Sequence, residues 1–168
     1  MSFKKLKYGL VAAAFILIAG CSNTDCYLSN VVRSEYTFVN SLTNKETTIT
    51  EVLTVTALPS DTTLLNHSTN ISKMSLPMGY ANTVDSLLFN FDTAEGRVID
   101  TVCIEHTNIP HFESLDCGTS VFHIVKNVSF SKRKPAEAFP TVIDSIVIIN
   151  PKVTYDATEN FKIYISTH

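Results

Sequence analysis

Alternation of apolar and polar residues dominates the chain beyond about residue 33. In Thr48–Leu58, Ile49, Leu53 and Val55 fall on one face of an extended strand and threonines on the other. Similar runs recur at short intervals, separated by turn residues such as those at 43–46 and 59–61. The expected strands are Ser34–Leu42, Thr48–Leu58, Val84–Phe91, Val98–His106, His111–Leu115, Ser120–Ser131, Ile143–Ile149 and Phe161–Ile165.

This succession predicts one all-β domain over residues 34–168. So many short strands favour a single antiparallel two-sheet β-sandwich with Greek-key-like connections, and a small open barrel is the alternative. Residues 62–83 are expected to be irregular, with short extended pieces near Leu64–Leu65 and Ile71–Leu76, and residues 132–140 to form a polar loop. The very apolar Ile143–Ile149 is expected to be a central strand, and Phe161–Ile165 an edge or closing strand. The pattern does not determine the strand order.

The first 20 residues have the pattern of an export signal. Three lysines precede an uncharged apolar run, Tyr8–Ala19, which is shorter than the roughly 20 residues that a spanning helix needs. The run ends in residues 18–21, Ile-Ala-Gly-Cys, which resemble the lipobox of bacterial lipoproteins. This resemblance implies a lipoprotein signal peptide at 1–20, a lipidated Cys21 and a polar tether over 21–33. An ordinary secretory signal or a marginal anchor helix is the alternative.

The expected lipid anchor defines the compartment. A mature lipoprotein carries two or three acyl chains, which is enough for stable attachment to a membrane. Ser22 after the lipidated cysteine favours, by resemblance to known sorting rules, the outer membrane and its periplasmic face. Membrane lipid, reached through Cys21, is therefore one expected partner.

Composition excludes one class of partner. The precursor has 13 basic and 16 acidic residues, and removal of the three N-terminal lysines leaves ten basic residues, so the mature chain carries a net charge near −6. Since no basic stripe exists, nucleic acid is not an expected partner. The remaining 148 residues are enough for one domain with a real core.

Three cysteines remain after Cys21 is assigned to lipid, in a compartment where disulfides persist. Cys103 belongs to a strand-like run and is interpreted as a core residue, whereas Cys117 lies in a turn-like place. We therefore predict a Cys26–Cys117 disulfide that joins the tether to the domain. A Cys103–Cys117 bond is the alternative.

Residues with catalytic or metal-binding chemistry are few. His106, His111 and His123 lie near Glu105, Glu113 and Asp116, but no spacing matches a known zinc-ligand pair, so a structural role is favoured over a metal site. The chain has neither a Gly-x-Ser-x-Gly elbow nor a glycine-rich phosphate loop. We therefore expect no enzyme activity, no cofactor and no metal.

Two features resemble known protein families. From Cys26 onward the layout is similar to a family of uncharacterised Bacteroidota lipoproteins, on the strength of His111–Gly118, with its Ser-x-x-Cys-Gly core, and Ile143–Val153. Five of the eight aspartates precede Ser or Thr, which resembles the O-glycosylation signal of exported Bacteroidota proteins. Thr62 and Thr93 are the candidate sites because they lie near expected turns, while Ser86, Thr101 and Ser145 open expected strands. The alternative is that the Asp-Ser and Asp-Thr pairs only mark bends at which strands begin.

These observations leave three classes of function. The first is a lipid-anchored, non-catalytic structural or interaction module of the cell envelope, with an envelope protein or glycan as partner. The second is an accessory protein that binds carbohydrate or another small ligand, which requires clustered exposed tyrosines. The third, and least favoured, is a metal-dependent hydrolase. The tyrosines in question are Tyr27, Tyr36, Tyr80, Tyr155 and Tyr164.

Overall fold

A computed structural model describes residues 31–94, 96–112, 118–131 and 141–167. These residues form strands and turns without a helix, and therefore include no helix long and apolar enough to cross a membrane. The strands are β1 (Arg33–Asn40), β2 (Val52–Leu58), β3 (Thr62–Ser68), β4 (Lys73–Pro77), β5 (Val84–Thr93), β6 (Gly96–His111), β7 (Ser120–Phe130), β8 (Thr141–Ile148), β9 (Lys152–Val153) and β10 (Glu159–Thr167).

The strands form two sheets, as the sequence predicts for an all-β sandwich. One sheet has four strands in the order β4-β1-β10-β8, and the other has six in the order β3-β2-β5-β6-β7-β9. The six-stranded sheet is curled like half a barrel. Its middle strands β5, β6 and β7 follow one another along the chain and pair antiparallel with short connections.

The structure corrects five details of the predicted topology. The sandwich is not wholly antiparallel, because β1 and β10 pair in parallel. The apolar strand β8 lies at an edge, and β10 lies inside its sheet between β1 and β8. Residues 62–83, expected to be irregular with two short extended pieces, contain the regular strands β3 and β4 at the places of those pieces. His111 ends the 16-residue β6 and does not begin a new strand.

The inner faces of the sheets form one apolar core. Ile49, Leu53 and Val55 are buried, as the alternation predicts. In the four-stranded sheet the buried Tyr36 ring stacks on Phe161, with 4.8 Å between ring centroids. Burial raises the pKa of the Tyr36 phenol well above its ordinary value, although a hydrogen bond with Ser34 lowers it in part.

The two ends of the sandwich hold different turns and loops. The entry end is where the described chain begins at Val31, and it also holds the β2–β3 turn and the β4–β5 loop. The far end holds the turn after β1 and the β5–β6 turn. Strands β1 and β5 each run from the entry end to the far end, so eight to ten residues separate the two.

Candidate functional site

A buried polar cluster lies on the inner face of the six-stranded sheet at the entry end. It consists of Asp85, His106, Asn108 and His123, and is called the His–Asp cluster below. His106 continues the inward-facing alternation of β6, in which Val102 and Ile104 are also buried. Both histidines are almost fully buried. A polar group at this depth is stable only if it finds partners.

A β-bulge brings His123 into the cluster. In the pairing of β6 with β7, Glu105 lies opposite Asn127 but His106 lies opposite Val125, so one extra residue of β7 is inserted. This insertion reverses which residues of β7 face inward. Val128 and Phe130 face the core below the bulge, and Val125 and His123 face it above.

Asn108 determines which nitrogen of His123 carries the proton. The Asn108 amide Nδ2 donates to the carbonyl oxygens of Tyr80 and Asn82, at 2.9 and 2.8 Å, so Oδ1 is left as an acceptor. Nδ1 of His123 lies 2.9 Å from this Oδ1 and must therefore be its donor. The lone pair of His123 then resides on Nε2, and no hydrogen bond from a described residue reaches that atom.

His106 lies between His123 and Asp85. Its Nδ1 lies 3.3 Å from Nδ1 of His123, and the two rings meet edge to face. Its Nε2 lies 3.4 Å from Oδ2 of Asp85, close enough for an ion-pair contact but poorly aligned, so Nε2 has no regular hydrogen-bond partner among the described residues. Oδ2 of Asp85 accepts the backbone N–H of Gly79 at 2.9 Å.

Gly79 is required where the β4–β5 loop passes over Asp85. A Cβ atom built at this position would lie 2.4 Å from Oδ1 of Asp85, closer than real contacts allow. The absence of a side chain therefore lets the Gly79 N–H approach the carboxylate. This contact fastens the loop to the cluster.

The environment keeps the His123 imidazole neutral at ordinary pH. Burial and the neighbouring His106 lower its pKa and Asp85 raises it in part, with the net result that the pKa is about 4. A neutral ring with Nδ1 protonated offers Nε2 as an acceptor. The cluster is thus built to present one hydrogen-bond acceptor from an otherwise buried ring.

An open groove of about 780 Å³ lies against this cluster. Asp85 and His123 both line it, and Val31 and Tyr80 stand at its rim. Among the described residues that line the groove, Asp85 is the only acid and there is no lysine or arginine. Most of the remaining lining is apolar: Val32, Ala57, Leu58, Pro59, Leu64, Pro77, Met78, Leu87 and Val121.

The three histidines considered as metal ligands separate into two places. His106 and His123 meet in the cluster, whereas His111 stacks on Phe122 with 4.1 Å between ring centroids. Glu113 and Asp116 lie outside the described residues. Within the described ranges, no group of three or more His, Cys, Asp or Glu side chains is placed to hold a metal ion.

The sequence did not identify Asp85 or Asn108 as partners of these histidines. In the sequence Asp85 is distinguished only by the Ser86 that follows it, and it lies 21 positions before His106 along the chain. One signal was available: the alternation of Val98–His106 already places His106 on the core face. A histidine there requires a polar partner.

The predicted modification sites have mixed outcomes. Cys21, Cys26 and Cys117 lie outside the described residues, so lipidation and the Cys26–Cys117 disulfide stay predictions. Cys103 is a free thiol, contrary to the alternative pairing, and is half-buried beside the Ser86 hydroxyl at 3.6 Å.

The two candidate glycosylation sites differ in exposure. Thr62 is exposed at the start of β3, and its hydroxyl donates to Ser60. Thr93 is half-buried at the end of β5, and its hydroxyl donates to the Gly96 carbonyl at 2.7 Å. Ser86, Thr101 and Ser145 are half-buried within strands. Exposure therefore ranks Thr62 first.

The described tyrosines do not form a cluster. Tyr36 belongs to the core, Tyr80 is exposed at the groove rim, and Tyr155 packs edge-on against Phe122. Tyr164 is half-buried in β10, and Tyr27 lies outside the described residues. The aromatic platform expected of a sugar-binding surface is therefore not formed by these residues.

Comparison with known proteins gives one match. The model of a family of unknown function (DUF6452) matches residues 52–165, a span that includes β2 to β8 and most of β10, and with them the His–Asp cluster. Neither a curated protein nor a solved structure gives a significant match. Because this match covers more than half of the chain, the chain belongs to the family of unknown function DUF6452.

Proposed function

We propose that this protein is a lipid-anchored, non-catalytic binding module of the bacterial cell envelope, of the kind found in Bacteroidota lipoproteins. Its ligand site is the groove at the entry end. The observation that carries this proposal is the apolar groove with a neutral, oriented His123 in its wall. Binding sites for small molecules commonly combine an apolar lining with a few well-placed polar groups.

The charge of the groove limits the ligand. Asp85 supplies a carboxylate and no described lining residue supplies a fixed positive charge, so an anionic ligand would be repelled without compensation. Nε2 of His123 accepts a hydrogen bond, so the ligand should carry a hydroxyl or an amide N–H. A neutral, mainly apolar molecule with one such donor meets both requirements. Carbohydrate is the weaker candidate, because Tyr80 is the only exposed tyrosine among the described residues.

A displacement assay tests the ligand class. The groove is loaded with a neutral apolar fluorophore, Nile red, which is then displaced by a long-chain alcohol or by the fatty acid of the same chain length. We expect the alcohol to displace the dye at lower concentration at pH 7. Equal displacement by both, or stronger displacement by the acid, would contradict the proposed site.

Two neighbouring leucines provide matched variants for the same assay. Leu64 and Leu65 are both half-buried on β3, but only Leu64 lines the groove. Leu64→Gln should weaken the displacement by the alcohol about tenfold, since it puts an amide into apolar lining. Leu65→Gln should leave the displacement by the alcohol unchanged when the two variants are compared at the same folded fraction. Equal effects of the two substitutions would place the ligand elsewhere.

The anchor and the compartment belong to the same proposal. The lipobox-like segment and Ser22 support attachment of Cys21 to the periplasmic face of the outer membrane. Cys21→Ser should move the protein from the membrane fraction to the soluble fraction or leave it unprocessed. Mass spectrometry that finds an unmodified Cys21 in the mature protein would contradict the anchor without affecting the groove.

A further inference from the structure

Large apolar side chains are exposed at the entry end on separate loops. Tyr80 in the β4–β5 loop is 76% exposed, Phe112 after β6 is 57% exposed, and Val31 at the chain entry is 52% exposed. Val84 at the start of β5 and Ile109 near the end of β6 are exposed beside them. Soluble domains expose single apolar residues routinely, but a group of them at one end indicates a contact surface.

The far end has the opposite character. Its described residues include Lys45, Glu46, Lys73, Asp92 and Arg97, and two ion pairs form there. Leu42 is exposed in the turn after β1, and Ile99 on β6. Exposed apolar groups thus occur at both ends, but aromatic ones are exposed only at the entry end within the described ranges.

The point at which the chain enters the domain determines which end is near the anchor. Nine residues, 22–30, lie between the lipidated cysteine and Val31, and the ten steps from Cys21 to Val31 reach at most about 36 Å. The chain enters the domain at Val31, in the same end as Tyr80 and Phe112. An anchored domain is therefore held with this end within reach of the bilayer.

We propose that the entry end rests on the bilayer surface, with Val31, Tyr80 and Phe112 inserted among the lipids. This inference rests on the anchor in the proposed function. Aromatic side chains are favoured at the membrane–water boundary, where the ring is dehydrated and a polar tip stays wet. The described charges at this end include Arg33 and Lys152 but also Asp61, Asp85, Glu105 and Asp156. These residues form no basic patch that would attract anionic lipid, so the contact is apolar rather than electrostatic.

The arrangement of these side chains favours lipid over a second copy of the chain. Residues 31, 80 and 112 lie on three separate segments of the chain. A protein partner must match such a surface atom by atom, whereas fluid lipid surrounds each protruding side chain individually. The anchor also keeps lipid permanently within reach of this end.

Tryptophan fluorescence tests the orientation, because the natural chain contains no tryptophan. The full lipidated protein is placed in phosphatidylcholine vesicles, with and without bromine on the acyl chains near the headgroup. Phe112→Trp and Tyr80→Trp each place one fluorophore at the entry end. Leu42→Trp places one at the far end, at a position that is 79% exposed, as the matched control.

We expect brominated lipid to reduce the emission of the two entry-end tryptophans roughly twofold, with a blue shift, as expected for rings at the headgroup level. The Leu42→Trp emission should not change. Equal quenching at both ends, or quenching at neither, would overturn the orientation. A blue shift without quenching would also overturn it, because a second copy or another protein would then cover this face.

Flotation of the same vesicles separates the two proposals. If the protein does not float with the lipid, the anchor itself is wrong. If it floats and the entry-end tryptophans are not quenched, the anchor stands and the orientation is wrong.

Discussion

The two ends of the sandwich are stabilised in different ways. At the entry end, Asn108 bonds the buried His123 ring and two loop carbonyls, Asp85 accepts the backbone N–H of Gly79, and a groove interrupts the packing. At the far end, Asn40 closes an exposed turn and the ion pairs Lys73–Glu46 and Arg97–Asp92 lie on the surface. Loss of a partner costs much more where water cannot replace it, so similar residues should have unequal effects at the two ends.

The largest difference is expected between two asparagines. Asn108→Ala removes the acceptor of His123 Nδ1 and the donor to two loop carbonyls, and should lower the free energy of unfolding by about 3 kcal/mol. Asn40→Ala removes the acceptor for the N–H groups of Leu42 and Thr43, which water can reach, and should cost about 1 kcal/mol. Urea denaturation of both variants measures this. Equal losses would mean that the cluster is not the critical contact of the entry end.

The second prediction uses pH in place of mutation. Because the folded pKa of His123 is about 4, against an ordinary value of 6.5, the unfolded state binds the extra proton between these values. The stability contributed by the neutral ring is complete above pH 6.5 and is lost as the pH falls toward 4, by about 2 kcal/mol after the full equivalent of the pKa shift is reduced for solvent screening at the open groove. His123→Gln should reduce the pH dependence in this window. If the free energy of unfolding of this variant depends on pH as steeply as that of the natural protein, groups other than His123 cause the pH dependence.

A pair of glycines gives the third comparison. Gly79→Ala forces Asp85 to move and removes its hydrogen bond from the loop, at a cost of about 1.5 kcal/mol. At the far end, the space around Gly96 is open, but its φ of 137° strains any side chain. Both variants should lose stability, but only in Gly79→Ala should the long-chain alcohol also displace Nile red less effectively. If the alcohol displaces the dye equally well in Gly79→Ala, the β4–β5 loop is not part of the ligand site.

The smallest effect is expected at the far-end ion pair. The side chains of Lys73 and Glu46 are 63% and 48% exposed, and their nitrogen and oxygen lie 3.4 Å apart. A double-mutant cycle with Lys73→Ala and Glu46→Ala should give a coupling below about 0.5 kcal/mol, decreasing with added salt. A coupling as large as the loss in Asn108→Ala would contradict the contrast between the two ends.

The sequence pattern predicts the structure correctly where local alternation and turn residues decide it. The alternation of Ile49, Leu53 and Val55 fixed their common face, and the polar residues at 43–46 and 59–61 marked real turns. It was wrong for β8 and β10, because apolar content measures burial and does not determine a position within a sheet. A strand that is covered by the other sheet can be as apolar at an edge as in the centre.

The sequence by itself determined the all-β class, most strand positions and the inward direction of His106, since side-chain alternation is a local property of an extended chain. Only the tertiary structure decided that His123 meets His106 and that Asp85 and Asn108 complete the cluster. The inserted residue in β7 reverses the facing of His123, and such a bulge depends on pairing with β6. The parallel pairing of β1 with β10 joins residues 125 positions apart, such as Tyr36 and Phe161, and no local pattern contains that distance.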